Sequence, residues 1–202
     1  MPYQAIVWLM DADKLADGVL APYVDLLGDS EKQRLAHFLR PVRRRQYLAG
    51  RVLARHALAQ VLDVDPRSIS LEERHGAAPV LAVPPDQHAG FSISHSGRWV
   101  ACAASAGSKL GLDIETVDAT RDMQAIAEHA FDEAARNWLA DRPDETRVRD
   151  FFHLWSSMEA QFKLGTTAAS QFCLSTQQLS IVLCCEQVLS DLPTLEVKEF
   201  LP

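Results

Sequence analysis

Residues 91–115 read FSISHSGRWVACAASAGSKLGLDIE, and our interpretation of the fold starts from them. Over 91–94 serine alternates with apolar residues, which is the period-two pattern of a half-buried strand. Two further apolar runs, 99–104 and 110–115, are separated by short turns that contain glycine. The sequence therefore predicts three successive strands in this stretch.

Segments on both sides of these strands show helical periodicity or form further short apolar runs. Helices are predicted over 30–38, 42–62, 121–130, 132–140 and 146–164, and further strands over 4–10, 68–72, 79–83, 179–186 and 194–200. The order strand, helix, strand occurs twice and indicates an α+β protein. We expect two similar α+β halves, 1–105 and 106–202, although no residue-level repeat relates them.

The composition excludes several classes of protein. Of the 202 residues, 48% are apolar and 23% are charged, which is ordinary globular usage and excludes disordered and fibrous chains. No apolar run reaches the roughly 18 residues of a membrane helix, and the start, MPYQAIVWLMDADKL, lacks the basic region of a secretory signal. The four cysteines show no ligand spacing, so we expect reduced thiols, a cytoplasmic location and no membrane partner.

Charge is unevenly distributed along the chain. Residues 31–60 hold eight basic side chains against one acidic residue, whereas the whole chain has a net charge of −7. An acidic protein with one concentrated arginine cluster favours a local anion-binding site over general affinity for nucleic acid. Binding of nucleic acid through Arg43, Arg44 and Arg45 is the less favoured alternative, because no stacking-platform motif accompanies them.

Asp113 and Glu115 are two residues apart on the predicted strand 110–115, so both carboxylates project from the same face. Two neighbouring carboxylates repel each other unless a positive charge lies between them. Oxygen ligands of this kind favour a hard divalent cation. A solvated polar face on an edge hairpin is the alternative interpretation of the same pair.

The segment 151–165, FFHLWSSMEAQFKLG, predicts one helix with two different faces. An apolar stripe that we expect to pack on the core comprises Phe151, Trp155, Met158 and Phe162. Glu159 and Lys163 are four residues apart and share another face. One interpretation of this pair is an ordinary surface salt bridge. In the other, Glu159 joins Asp113 and Glu115 as a third carboxylate, and Lys163 supplies a cation for a phosphate.

His95 follows the strand 91–94 in a turn rich in serine and glycine, where an imidazole is either structural or a donor to phosphate. The glycine-rich loops of common nucleotide-binding proteins are absent from the sequence, as is the nucleophile elbow of serine hydrolases. The residues themselves favour a phosphate-bearing ligand and a divalent cation, bound without a standard nucleotide motif.

Five segments together resemble the surfactin-synthetase-activating type of 4′-phosphopantetheinyl transferase. They are LAGRVLARHAL (48–58), the glycine–proline turn 76–81, FSISHSG (91–97), LGLDIE (110–115) and FFHLWSSMEAQFKLG (151–165). The resemblance implies two similar α+β halves, with coenzyme A bound in the cleft between them and the metal site in the second half. It also implies the reaction: a serine of an apo acyl or peptidyl carrier protein takes the phosphopantetheine arm of coenzyme A, and adenosine 3′,5′-bisphosphate is released. We expect a monomer.

The resemblance also assigns roles to individual residues. Asp113, Glu115 and Glu159 correspond to ligands of Mg²⁺, whereas Arg51, Arg74, Ser94 and His95 correspond to residues that bind coenzyme A. Lys163 corresponds to the lysine at the pyrophosphate, where it would offset the charge that grows on the leaving phosphate. Glu159, or a water on the metal, would take the proton of the carrier serine.

The chain departs from the family pattern at two places. Met158 stands where the family usually has lysine, and Gly76-Ala77-Ala78-Pro79 replaces a Gly-Lys-Pro turn, so positive charge near the phosphates is lost at both places. A relative that binds coenzyme A or a carrier protein without transferring the arm is therefore the alternative to an active transferase. We expect Met158 to fill the core side of its helix, with no role toward phosphate.

Overall fold

The computed structural model describes residues 3–85 and 88–199. Its helices are α1 (Asp17–Leu20), α2 (Asp29–Ala36), α3 (Pro41–Leu62), α4 (Met123–Ala130), α5 (Glu133–Ala140) and α6 (Asp144–Leu164). Its strands are β1 (Ile6–Asp11), β2 (Ser70–Arg74), β3 (Ala77–Val83), β4 (Gly90–Ser96), β5 (Trp99–Ser105), β6 (Leu110–Thr116), β7 (Ser170–Cys173), β8 (Leu179–Cys185) and β9 (Thr194–Val197). No helix within these ranges is long and apolar enough to span a membrane. The α+β class predicted from the sequence is confirmed.

All of the predicted helices and strands are present, with ends that differ by a few residues. The helix α1 and the strand β7 were not predicted, because elements of four residues contain too little periodicity to be recognised. Residue 200, the predicted end of the last strand, lies outside the described residues.

The strands form two sheets and a hairpin. The four-stranded sheet has the order β4-β5-β1-β9, the three-stranded sheet has the order β6-β8-β7, and β2 pairs with β3 in the hairpin. Because β9 runs parallel to β1, the last strand returns to the sheet of the N-terminal half. The predicted division into 1–105 and 106–202 therefore does not follow the sheets at the C-terminal end.

Side chains of β1 alternate between two cores on opposite faces of the four-stranded sheet. Trp8 lies in the core that contains Leu53 of α3, whereas its neighbour Val7 lies in the core that contains Ile114 and Ile181 of the three-stranded sheet. The helix α6 covers the other face of the three-stranded sheet. Each of the two sheets thus has one long helix on its outer face, and the two sheets pack against each other.

The helix α6 meets the three-stranded sheet through one narrow face, whose buried residues are Phe152, Ser156, Ala160 and Leu164. The apolar stripe predicted from the sequence lies on the opposite face. Phe151 and Trp155 are covered there by Phe131 and its neighbours from α4 and α5. Met158 is 39% exposed and Phe162 81% exposed, because α6 continues past that cluster. The expectation that Met158 fills the core side of its helix is wrong.

Candidate active site

Three serines of β4 join the four-stranded sheet to the three-stranded sheet. The hydroxyls of Ser92, Ser94 and Ser96 accept hydrogen bonds from the backbone N–H groups of Leu112, Ile114 and Thr116, at 2.9, 3.3 and 3.0 Å. These bonds take the place of a backbone ladder between β4 and β6, the edge strands of the two sheets. The alternation over 91–94 does reflect a half-buried strand, but the serine face is the more deeply buried one.

The ammonium of Lys163 lies where β4, β6 and α6 meet. Its Nζ is 2.7 Å from Asp113 Oδ1, 3.0 Å from Ser94 Oγ and 3.1 Å from the carbonyl oxygen of Leu112. Asp113 is only 4% exposed. Lys163 therefore pairs with a buried carboxylate of the predicted site and not with Glu159 on its own helix, so the interpretation as a surface salt bridge is wrong.

Ser94 uses every hydrogen-bonding position of its hydroxyl, which has one donor and two acceptor sites. It donates to Asp113 Oδ1 at 3.0 Å and accepts from Lys163 and from the N–H group of Ile114. In this arrangement the buried hydroxyl positions Asp113 and Lys163. A direct contact between Ser94 and coenzyme A, as the resemblance implied, would require one of these bonds to break.

Gly111 lets α6 approach β6 closely enough for Lys163 to reach Asp113. A Cβ atom at Gly111 would collide with the carbonyl oxygen of Ala160 and the backbone nitrogen of Leu164. Gly111, the glycine of the pattern G-x-D-x-E over 111–115, therefore has a packing role that the sequence analysis did not assign.

The remaining oxygens of Asp113 and Glu115 fit a hard cation. Asp113 Oδ2 is buried and has no hydrogen-bond partner among the described residues. Burial raises the pKa of Glu115; the hydrogen bond from Ser96 opposes this rise, and the charge of Asp113 adds to it. A divalent cation would give the orphaned oxygen a partner and relieve the repulsion between the two carboxylates.

Glu159 does not complete a three-carboxylate centre in this arrangement. No group of three His, Cys, Asp or Glu side chains within the described ranges is close enough to hold a metal ion. Glu159 is partly buried, and its carboxylate has no hydrogen-bond or ion-pair partner in the same part of the chain. It precedes Lys163 by one turn on the same side of α6. Its role as a metal ligand stays a prediction.

Arg43 is a residue that the sequence analysis did not assign to this site. Its Nη1 lies 3.3 Å from both ring nitrogens of His95 and 3.2 Å from Gln46 Oε1, so the guanidinium lies against the imidazole ring. Partial burial and the charge of Arg43 lower the pKa of His95, and Lys163 adds a smaller effect in the same direction. The one sequence signal for Arg43 was the arginine cluster itself.

Arg51, a residue of α3, takes part in a buried network of ion pairs that joins α3 to α2 and β2. Its guanidinium pairs with Glu73 of β2, which also accepts a hydrogen bond from the Tyr47 hydroxyl at 2.7 Å. Glu31 of α2 lies 3.4 Å from Arg51 Nε and pairs with Arg55. A phosphate contact of Arg51 stays a prediction, and it would require the pair with Glu73 to open.

Arg74 lies in the β2–β3 hairpin, apart from the Asp113–Lys163 pair. Its Nε donates to the carbonyl oxygen of Ala78 at 2.9 Å, and the side chain is exposed. Gly76 has a φ of 68°, a left-handed conformation that favours glycine in the hairpin turn. A contact between Arg74 and coenzyme A stays a prediction.

Two cavities of about 620 Å³ each lie elsewhere on the protein. One lies between the end of α3 and the start of β1, and the other lies beside α1 and the turn at Pro66–Ser68. The lining of neither cavity includes Asp113, Lys163 or His95. The convergence of side chains, and not the size of a cavity, marks the candidate active site.

Comparison with known families accounts for both halves of the chain. Residues 18–107 match the family model described as 4′-phosphopantetheinyl transferase, N-terminal, and residues 109–189 match that of the 4′-phosphopantetheinyl transferase superfamily. The chain belongs to the 4′-phosphopantetheinyl transferase superfamily. The second match contains the strand β6 and the helix α6, which supply Asp113 and Lys163 to the site.

Curated relatives of this 4′-phosphopantetheinyl transferase family member agree with that assignment. The chain is 28% identical over 161 residues to the 4′-phosphopantetheinyl transferase HetI of Nostoc sp., and the alignment covers 78% of this chain and 66% of the relative. It is 29% identical over 150 residues to the 4′-phosphopantetheinyl transferase Sfp of Bacillus subtilis, and the alignment covers 68% of this chain and 64% of the relative. It is 37% identical over 120 residues to the 4′-phosphopantetheinyl transferase psf-1 of Bacillus pumilus, and this alignment covers 59% of this chain and 49% of the relative. The chain spans about half to two thirds of the length of these relatives.

Proposed function

We propose that this protein transfers the 4′-phosphopantetheine arm of coenzyme A to a serine of an apo acyl or peptidyl carrier protein, with Mg²⁺ as cofactor. One observation carries the proposal: Lys163 of α6 lies 2.7 Å from Asp113 of β6. This contact joins the strand pattern G-x-D-x-E over 111–115 to the helix pattern W-x-x-x-E-A-x-x-K over 155–163, and the two paired residues are 50 positions apart in the chain. Membership of the transferase superfamily supports the same reaction.

Asp113 and Glu115 would hold the metal ion, and Glu159 would join them from α6. The orphaned Oδ2 of Asp113 supports a missing positive charge at this position, whereas Glu115 already pairs through Oε2 with Arg121 at 3.2 Å and would offer its other oxygen. When bound, Mg²⁺ supplies the charge that neutralises the pyrophosphate of coenzyme A and orients it.

The transfer forms a bond between the oxygen of the carrier serine and the phosphorus that bears the pantetheine arm. The bond from that phosphorus to the bridging oxygen breaks, and adenosine 3′,5′-bisphosphate leaves with the bridging oxygen. Glu159, whose carboxylate has no partner in the described part of the chain, would take the serine proton. Lys163, with 28% of its side chain exposed, would turn from Asp113 to the leaving phosphate and offset its growing charge.

We expect the protein to act as a monomer, because Asp113, Lys163 and His95 all come from one chain and already lie around the end of one strand. Sedimentation velocity in the presence of coenzyme A and Mg²⁺ measures the oligomeric state. A dimer whose dissociation abolished transfer would contradict the expectation.

Intact-mass spectrometry tests the proposed reaction directly. The protein is incubated with coenzyme A, Mg²⁺ and several apo carrier proteins, and a carrier that gains one phosphopantetheine group supports the proposal and identifies the partner. Removal of Mg²⁺ with a chelator should prevent the gain.

The variant Glu159→Gln provides a matched control, because it keeps the size of the side chain and removes its negative charge and its ability to take a proton. It should abolish transfer while its thermal melt stays that of the wild type. If coenzyme A binds but no carrier is modified by the wild-type protein, the alternative of a relative without transfer activity replaces this proposal.

A further inference from the structure

The two carboxylates of β6 are held in the same way. One oxygen of Asp113 lies between a serine hydroxyl of β4 and the ammonium of Lys163. One oxygen of Glu115, Oε2, accepts a hydrogen bond from the hydroxyl of Ser96 at 2.8 Å and lies 3.2 Å from Arg121 Nη1. The second oxygen of each carboxylate has no hydrogen-bond partner among the described residues. Each carboxylate thus has one oxygen held by a serine and a cation and one oxygen left over.

Arg121 lies in the loop that leads from β6 to α4, and the fold directs its guanidinium to Glu115. The acidic residues of this loop have other partners: Asp118 accepts hydrogen bonds from within the loop, and Asp122 caps the first turn of α4. The guanidinium also lies over the buried ring of Phe152 on α6, 5.9 Å from its centroid. Glu115 is the one carboxylate in the described part of the chain that forms an ion pair with Arg121.

The charges at this end of β6 are balanced without a metal ion. Asp113 pairs with Lys163 and Glu115 pairs with Arg121, so two cations compensate the two carboxylates. A divalent cation on the two remaining oxygens would be attracted by the carboxylates and repelled by both of these cations. The proposed reaction moves Lys163 to the leaving phosphate, whereas it gives no task to Arg121.

We infer that Arg121 takes the place of the metal ion at Glu115 before the metal binds, and that its charge lowers the affinity of the site for a divalent cation. The inference rests on the proposed function, which assigns Asp113 and Glu115 to Mg²⁺. The guanidinium and the metal ion compete for the same carboxylate, so each weakens the binding of the other. Because 42% of the Arg121 side chain is exposed, the guanidinium can turn to water when the metal binds.

Titration with Mn²⁺ tests this inference on the full chain without coenzyme A. Mn²⁺ binds the same oxygen ligands as Mg²⁺, and electron paramagnetic resonance measures its free concentration. Arg121→Gln should bind Mn²⁺ about 3- to 10-fold more tightly than the wild type, because one repelling charge is lost from a site open to water and salt. Arg121→Lys, which keeps the charge, should keep an affinity close to that of the wild type.

Arg147→Gln is the matched control. The side chain of Arg147 is also 42% exposed and also pairs with a carboxylate, that of Asp144, but it lies 16 residues before Lys163 on α6, about 24 Å along the helix. This variant should bind Mn²⁺ as the wild type does. Thermal melts with a chelator show that each variant is folded, and added Mn²⁺ should raise the melting temperature of Arg121→Gln by more than that of the wild type.

The results separate the inference from the proposed function. An affinity for Mn²⁺ that is unchanged or weaker in Arg121→Gln would overturn the inference and leave the assignment of the metal site as it is. Adding Asp113→Asn to Arg121→Gln should abolish the tighter binding, and a gain that survived would place the Mn²⁺ elsewhere and overturn the inference too. If neither the wild type nor Arg121→Gln bound Mn²⁺, both the inference and the metal ion of the proposed function would fail. Tighter binding in Arg121→Gln, with no carrier modified by the wild type, would support the inference and count only against the transfer.

Discussion

Lys163 Nζ lies 2.7 Å from Asp113 Oδ1, although Glu159, one turn earlier on the same helix, has the spacing of a helical salt bridge. The difference in burial explains this choice. Asp113 is 4% exposed, whereas Glu159 is only partly buried, and a carboxylate that water no longer solvates gains more from a nearby ammonium. As a result Glu159 keeps its carboxylate free, which the proposed reaction requires of the group that takes the serine proton.

The approach of α6 to β6 depends on Gly111, and Gly111→Ala tests this dependence. The added methyl group would push against the backbone of Ala160 and Leu164, so we expect a loss of about 1–3 kcal/mol in the free energy of unfolding. Transfer should fall as well, because Lys163 would be moved away from Asp113. Urea denaturation measures the stability, and Gly18→Ala is the matched control, since a Cβ atom there meets nothing within 4 Å. Wild-type stability and activity in Gly111→Ala would contradict the packing role.

Arg51 and its partners predict a stability effect rather than a simple loss of ligand binding. Arg51→Ala removes a buried guanidinium and leaves Glu73 and Glu31 without part of their compensating charge. We expect the free energy of unfolding to fall by about 3–5 kcal/mol, as for other buried ion pairs that lose one partner. Denaturant unfolding of Arg51→Ala beside Arg44→Ala provides the measurement and its control. A variant that keeps its stability but no longer binds coenzyme A would show that Arg51 serves the phosphates after all.

The sequence was informative about the order of elements and less so about their partners. The alternation over 91–94 and the periodicity over 42–62 are local patterns, and the strand and the helix they predict are both present. The return of β9 to β1 leaves no local pattern, because it depends on pairing between opposite ends of the chain. Periodicity also shows that a strand has two different faces without showing which face another element covers. For β4 the covered face turned out to be the serine face.

The same limit applies to the candidate site. The motifs indicated Asp113 and Lys163, and the structure brings these two together. Arg43 and Arg51 belong to one arginine-rich segment and are about two helical turns apart. Their spacing does not show that Glu73 of β2 meets one of them and His95 of β4 meets the other. Only the packing of α3 between these strands distinguishes the exposed arginine from the buried one.

The charge of Arg43 has a consequence for the titration of His95. Partial burial is the largest cause that lowers the pKa of this imidazole, Arg43 is the next, Lys163 acts in the same direction and Asp113 opposes them. Arg43→Ala removes one of the lowering causes, so the pKa of His95 should rise and the ring should become protonated at a higher pH than in the wild type. A pH titration of the imidazole resonances by NMR, assigned with His95→Gln, measures the shift. Arg44→Ala should leave the pKa unchanged, and an unchanged or lower pKa in Arg43→Ala would show that the guanidinium does not lie against the ring.

Met158→Lys restores the cation that the family pattern usually has at this position, and the structure predicts that the change has little effect. Met158 is 39% exposed, so an ammonium there stays in water and the melting temperature should stay that of the wild type. Met158 and Ala160 are two residues apart, which places them about 200° apart around α6. Since Ala160 is the buried residue that meets β6, a lysine at 158 projects away from Asp113, and the affinity for coenzyme A should not increase. Thermal melts and titrations with coenzyme A, made on Met158→Lys and the wild type together, measure both quantities. Tighter binding at an unchanged melting temperature would mean that coenzyme A extends around the exposed side of α6, and the position of the phosphates proposed above would then have to be revised.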